Sequence, residues 1–177
     1  MLIRLGHSPD PDDAFMFWGL ASGEVDPGRF EFEHVLRDIQ TLNRWALDGK
    51  LEVTAMSLAT FPRVADRYML LPHGASMGSG YGPIVVSREP LSREELRDVE
   101  IAVPGRMTTA FLVLRMYLGD FRYREVPFDR ILEEVSSGAA PAGLRQAPTN
   151  SSRTLSKMPA ACARSSSSSI ARLPRSP

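Results

Sequence analysis

This 177-residue chain predicts an α/β fold, and three observations carry that prediction. Short apolar strands alternate with segments of helical periodicity along most of its length. The helical segments open on capping residues and stop at glycines. The composition, 43% hydrophobic, 24% charged and 8% aromatic, is that of an ordinary globular protein. Alternation of this kind implies parallel βαβ units covered on both faces. The pattern restarts near residue 90, which predicts a first α/β lobe over 1–90 and a second over 91–138.

The elements follow in order. Residues 2–7 form a strand, and Asp10-Pro11-Asp12-Asp13 then opens a helix. Asp10 is its N-cap, Pro11 its first helical residue, and the two further acids complement the dipole. That helix is apolar on nearly every side, which predicts burial, with Gly23 near its stop. A strand over 30–35 leads to a helix from Asp38 with Ile39, Leu42, Trp45 and Ala46 on one face, ending at Gly49. A strand over 51–56, a short helix over 57–65 and a short strand over 68–71 come next. The turn Gly78–Gly82 precedes a strand over 83–87. Ser92 and Glu95 form a capping box that opens a short helix. A strand over 100–103, a helix over 110–118, a strand over 124–126 and a helix capped by Asp129 and ended by Gly138 complete the pattern.

Formal net charge is zero, so nothing points to a nucleic acid or an anionic membrane as partner. No apolar run approaches the roughly 18 residues of a spanning helix. The N-terminus reads straight into a strand, without the pattern of a secretory leader, which predicts a cytoplasmic protein. A single cysteine, Cys162, excludes an internal disulfide framework.

Beyond Gly138 the composition changes abruptly. All 21 acidic residues precede it, and the last 39 residues carry +6 with no aromatic residue and nine serines. Such a segment buries too little apolar surface to offset its ordering entropy, so 139–177 is predicted to be a disordered tail. Either it is a natural low-complexity tail or a reading-frame shift has replaced the original sequence.

Three stretches lie just past predicted strand ends, where open α/β sheets bind ligands: Ser8–Asp13, Ser57 with its neighbours, and Gly105–Thr109. Ser8, Ser57, Thr108 and Thr109 either cap the helices they precede or present hydroxyls and amides to a carboxylate or phosphate. Asp10, Asp12 and Asp13 either complement a helix dipole or form a metal or acid/base cluster. The Gly78-x-Gly80-x-Gly82 spacing precedes a strand instead of opening a helix, so phosphate-loop readings fail and backbone turning remains. Arg106 is either an anion clamp or a solvated cation, and His7 either a cleft residue or a packing one.

Five stretches then recur together: Ser8–Phe15, Thr41–Gly49, Gly80–Pro83, Ala102–Ala110 and Phe128–Leu132. In that order they resemble the 1,4-dihydroxy-6-naphthoate synthase family of the futalosine route to menaquinone, which is related to chorismate dehydratase. The family's Ser-Pro-Cys-Pro-Asn-Asp-Thr-Phe differs here at Asp10, Asp12 and Ala14. The resemblance covers residues 2 to about 144. It implies a two-lobed, periplasmic-binding-protein-like (type 2) fold with the second lobe incomplete, and a cleft that cleaves cyclic dehypoxanthine futalosine without metal or organic cofactor. Ser8, Ser57, Thr108 and Thr109 would hold the polar and carboxylate groups of this small-molecule substrate, with Asn43 lining the cleft.

The resemblance also implies a catalytic base, a histidine followed by glutamate shortly after Leu144. None is present: Ala147 or a neighbour stands there, and no histidine follows His73. Synonymous codons for Pro148–Thr154, read from the third base of the Pro148 codon, can spell His-Glu-Phe-Leu-Thr-Tyr, which favours a frame shift. The expectation is therefore a lyase by descent, inactive as this chain. The alternatives are a small-carboxylate binding lobe without chemistry, a chorismate dehydratase of the same pathway, or a fragment with no stable fold.

Overall fold

The computed structural model describes residues 1–77, 82–146 and 166–172. They divide into two compact units, Met1–Ser76 with the strand from 166 to 172, and the described residues between 77 and 146.

In the first unit β1 (Leu2–His7) becomes more enclosed along its length, so that Leu5, Gly6 and His7 are all buried. The helix α1 (Pro11–Ala21) starts where Pro11 predicts, with extended backbone at Asp10. The side chain of Asp10 does not cap it; its carboxylate accepts from Ser8 Oγ at 2.9 Å instead. The expected all-round burial of α1 is also overturned. Only Asp13 and Phe17 are buried, while Phe15 is 86% and Trp18 61% exposed. Asp13 turns inward to accept the Ser8 amide, and Phe17, one turn on, shares its face. At about 100° per residue, Phe15 and Trp18 then fall on the opposite side.

Strand β2 (Glu31–Leu36) pairs parallel with β1 over its whole length. Helix α2 (Ile39–Asp48) is fixed at both ends by its sequence: the Asp38 carboxylate accepts from the Thr41 amide, and Gly49 ends it at a φ of 65°. Its inner face packs Leu42 on Leu51 and Ala55, and Ala46 on Met56 and Val64. Gly6 admits that helix closely, since a Cβ there would lie 2.5 Å from Leu51 Cδ1 and 2.9 Å from Leu42 Cδ2. β3 (Val53–Ser57) lies parallel to β1. The helix expected over 57–65 shrinks to a 3-10 turn at Phe61–Arg63, because Pro62 has no amide to continue a ladder. β4 (Tyr68–Met77) runs well past the expected four residues, anchored by the Tyr68 hydroxyl donating to the Leu51 carbonyl.

The second unit follows the predicted order closely. β5 (Pro83–Ser87), α3 (Arg93–Asp98) with its reciprocal Ser92–Glu95 capping box, β6 (Glu100–Val103) and α4 (Thr109–Leu118) all appear. β7 (Arg122–Glu125) comes next. Asp129 does not cap a helix; it lies in a 3-10 turn, Phe128–Arg130, that runs directly into α5 (Ile131–Ser136). β8 (Ala142–Gln146) then enters the sheet, antiparallel to β5 and parallel to β6, giving the order β5-β8-β6-β7. The expected disordered segment therefore begins too early at Ala139. Ala142, Gly143 and Leu144 carry few strand signals, yet their neighbours supply both ladders. Strand alternation sends Val85, Ile101 and Val103 to the α4 side and Ile84, Val86 and Ala102 to the α5 side, so both faces are cored.

A last strand, β9 (Ser166–Arg172), joins the first sheet antiparallel to β3, giving the order β2-β1-β3-β9-β4. It is the second departure from the expected tail. Main-chain hydrogen bonding to β3 places it irrespective of its side chains. The division of the chain falls after Ser76, earlier than the expected boundary near residue 90.

Candidate functional site

β1 and β3 are parallel, so both end on the same edge of the first sheet, and candidate residues follow each. At the end of β3, Asn43 from α2 is completely enclosed and grips Ser57 at two points. Its Oδ1 accepts from the Ser57 amide at 2.9 Å, and its Nδ2 donates to Ser57 Oγ at 3.1 Å. The Ser57 carbonyl in turn accepts from the Thr60 amide at 2.8 Å. This is why α2 tolerates a buried asparagine in its middle: the amide completes the hydrogen bonding of a strand end that has run past its pairing with β1. Ser57 Oγ accepts from Asn43, so its own proton is directed elsewhere.

Ser8, at the end of β1, belongs to a different network. Its amide donates to Asp13 Oδ2 at 2.7 Å, and its hydroxyl donates to Asp10 Oδ2 at 2.9 Å while accepting from the Asp10 amide at 3.2 Å. Burial pushes the Asp13 carboxyl up from its ordinary value, and the hydrogen bonds from Ser8 oppose that rise. His7, buried against Phe17, completes the cluster. Its Nδ1 lies 3.1 Å from the Ser8 carbonyl, which can only accept, so Nδ1 carries the proton. With that proton on Nδ1 alone, Nε2 of His7 accepts from His34 Nδ1 at 2.9 Å. That assignment leaves His34 Nε2 a buried acceptor without a hydrogen-bond partner. Burial, and after it the nearby His7, lowers the pKa of His34.

Nothing local in the sequence announces the His7–His34 pair. It depends on the parallel register that sets His34 opposite Leu5, two residues before His7. Asp12, the remaining acid of the expected cluster, is exposed and accepts from Ser76 Oγ at 2.9 Å. Among the described residues no group of three His, Cys, Asp or Glu side chains is placed to hold a metal ion.

In the second unit Thr108 and Thr109 open α4, both buried. Thr108 Oγ1 accepts from the Phe111 amide at 3.2 Å and donates to the Gly105 carbonyl at 2.8 Å. The capping reading of Thr108 is therefore realised in this state. Its hydroxyl is committed, and a ligand there would meet the first-turn amides and Thr109. Arg106 is exposed, and its amide donates to Glu125 Oε1 at 3.3 Å. Thus Asn43 and Ser57 are joined, Ser8 forms its own cluster, and Thr108–Thr109 constitute a third. The positions around Ala147, the glycines Gly78 and Gly80, and Cys162 lie outside the described residues.

Comparison with known proteins converges on one family. A family model described as menaquinone biosynthesis matches residues 3–145. The 1,4-dihydroxy-6-naphtoate synthase of Thermus thermophilus is 46% identical over 142 residues, covering 80% of this chain and 51% of that protein. The protein of the same name from Streptomyces coelicolor is 36% identical over 148 residues, with coverage of 80% and 51%. The chain thus spans about half the length of the curated relatives it matches. Protein AF1704 from Archaeoglobus fulgidus has a similar crystal structure, with a TM-score of 0.88 at 37% identity over 99% of this chain and 69% of that one. The periplasmic aliphatic sulphonate binding protein SsuA from Escherichia coli, at 10% identity, shares the fold alone, with a TM-score of 0.66 over 96% and 64%. The fold is periplasmic-binding-protein-like, as the resemblance implies.

Proposed function

The chain belongs to the menaquinone biosynthesis family, and from that premise we propose that it represents a cytoplasmic 1,4-dihydroxy-6-naphthoate synthase, a carbon–carbon lyase acting on cyclic dehypoxanthine futalosine, about half of whose length it spans. The observation that carries this reading is the 46% identity to the Thermus thermophilus synthase across 142 residues. The geometry supports the binding half of the task. The Asn43–Ser57 pair is rigid, buried and hydrogen-bonded so that the Ser57 proton is free to point at an acceptor. The start of α4, with Thr108 and Thr109, offers first-turn amides suited to a carboxylate. Ser8 is the third substrate-binding candidate.

Turnover requires a titratable group within reach of the substrate proton. His7 and His34 are occupied with each other and with the Ser8 carbonyl, and no histidine follows His73. This chain alone is therefore expected to bind without turning over. Incubating the purified chain with cyclic dehypoxanthine futalosine and following naphthoate by absorbance tests the second half of that statement. Calorimetric titration tests the first. Naphthoate release at a rate above the protein-free control would overturn the inactivity. A second reading, capture of a small carboxylate without chemistry, is favoured by the shared fold with a sulphonate-binding protein. Tight binding of simple carboxylates, with no affinity for the futalosine derivative, would make it the better one.

A further inference from the structure

Two enclosed side-chain atoms lack a hydrogen-bond partner among the described residues, His34 Nε2 and Gln40 Oε1. The first is the far side of a ring already held by His7. The second belongs to Gln40, the second residue of α2, which is only 7% exposed. Buried acceptors are ordinarily paired, because the water they give up must be replaced. An unpaired oxygen kept in the interior therefore calls for a partner that arrives from outside the chain.

Two ties, one on either side, place Gln40. Three residues before it, the Arg37 amide donates to the His7 carbonyl at 3.1 Å, which fastens the entry of α2 to the end of β1. Three residues after it, Asn43 holds the end of β3. Gln40 and Asn43 are both buried, and at that spacing they share a face of the helix. Helical side chains lean towards the N-terminus of their helix, here the edge at which the parallel strands β1, β2 and β3 end. Gln40 thus stands one turn beyond Asn43, at the edge that carries Ser8 and Ser57.

We infer that Gln40 is a specificity-determining residue of the substrate site, its Oε1 being the acceptor for a sugar hydroxyl of the bound molecule. This inference rests on cyclic dehypoxanthine futalosine as the substrate. An amide oxygen accepts and does not donate, so the group it calls for is a hydroxyl and not a carboxylate. It complements Ser57, whose free proton serves an acceptor on the same molecule. The terminal torsion of glutamine is broad, so the amide turns to meet a ligand without leaving its rotamer. A site built this way rejects an analogue lacking the hydroxyl, since its buried acceptor is then left unpaired again.

The test is calorimetric titration of the full chain with cyclic dehypoxanthine futalosine, followed by the variants Gln40→Met and Gln40→Glu. Methionine keeps the length and helix propensity but removes the acceptor, and should weaken binding about 5- to 10-fold. It should also raise the Tm of the ligand-free chain by about 4 °C, because an orphaned acceptor leaves the interior. A merely structural glutamine would give the opposite sign. Glutamate presents an oxygen whichever way the amide is turned, and should bind within about threefold of the unmodified chain. Among analogues deoxygenated at one sugar hydroxyl at a time, one should bind the unmodified chain more weakly yet lose nothing further with Gln40→Met, the non-additivity that marks a direct contact. Undiminished binding by Gln40→Met, a lowered Tm, or failure of that variant to fold would overturn the inference. If the unmodified chain does not bind the futalosine derivative, the substrate reading fails by itself. D-Ribose is then titrated into the millimolar range while the side-chain amide resonances of Gln40 are followed; a shift would sustain the hydroxyl acceptor, and its absence would overturn that as well.

Discussion

Replacing Asn43 by alanine removes, in one step, both bonds that hold the end of β3. The Ser57 amide loses its acceptor at 2.9 Å and Ser57 Oγ its donor at 3.1 Å. Each bond contributes about 1 kcal/mol net, and the stranded buried amide adds a desolvation cost of about 1–3 kcal/mol. Asn43 is fully enclosed, so water does not reach the amide without a cavity opening. The sum is a loss of about 3–5 kcal/mol, a large fraction of the roughly 5–15 kcal/mol that stabilises a domain. Urea unfolding followed by tryptophan fluorescence measures it, since Trp45 lies on the same helix, α2. Amide exchange at Ser57 locates it, and the Ser57 amide should lose protection ahead of Thr54 and Ala55. A loss below about 1 kcal/mol, with Ser57 still protected, would show that the strand end does not depend on Asn43. The account of why α2 carries a buried asparagine would then be wrong.

Three other substitutions test the ion pairing, titration and packing of the same structure. Glu52 receives the Arg4 guanidinium at 2.7 and 3.0 Å and the Arg4 amide at 3.0 Å, which hold its carboxyl down at about 2. Its contribution is present above the ordinary carboxylate pKa and fades as pH falls from about 4.5 towards 2. Both side chains are substantially exposed, so Glu52→Gln should cost only about 1 kcal/mol at pH 7 and almost nothing near pH 2, as urea midpoints at the two pH values will show. His34 responds to acid in the same direction but from a different cause: burial lowers its pKa below that of the unfolded chain, so acidification makes the unfolded state bind the proton first. Stability should drop as pH falls through and below about 6.5, and His34→Gln should flatten that slope in denaturant titrations between pH 5 and 7.5. Gly143→Ala drives a Cβ to 2.6 Å from Ile131 Cγ2 and 2.9 Å from Val135 Cγ2. Those branched side chains give way poorly, so thermal unfolding should show a loss of about 1–3 kcal/mol, exceeding that of Gly6→Ala, where leucine ends can swing aside.

What proved legible in the sequence was local. Asp38, Ser92 and Thr108 cap their helices and Gly49 ends α2, because each of those bonds closes within a few residues. Strand β5 spans the expected residues since its apolar run is bounded by a turn and a polar stretch. β8 was not legible. Ala142-Gly143-Leu144 has almost no strand propensity, and the small residues serve a tertiary need, letting α5 lie against the sheet. Membership of the family was legible for a different reason, since its motifs fall at strand ends and helix starts, where chemistry and capping constrain the same residues.

The candidate site divides along the same line. Ser57 and Thr108 were identifiable because each follows a strand and precedes a turn or helix. The partners that set their hydrogen bonding differ in kind. Thr108 closes on Gly105 and Phe111, its own neighbours, whereas Ser57 closes on Asn43, fourteen residues away on another element. The His7–His34 contact requires the register of β1 on β2 as well. Asp13 shows how this reverses a sequence expectation. As an isolated helix, α1 would keep an acid in its first turn facing water; in the sheet, the Ser8 amide at the end of β1 needs an acceptor, and Asp13 is the carboxylate it finds at 2.7 Å. Satisfying one buried amide rotates the whole helix, which moves Phe15 and Trp18 to solvent. A charged residue thus occupies the buried face of an apolar helix because an unpaired main-chain donor costs more than the burial of a hydrogen-bonded carboxyl whose pKa has already risen.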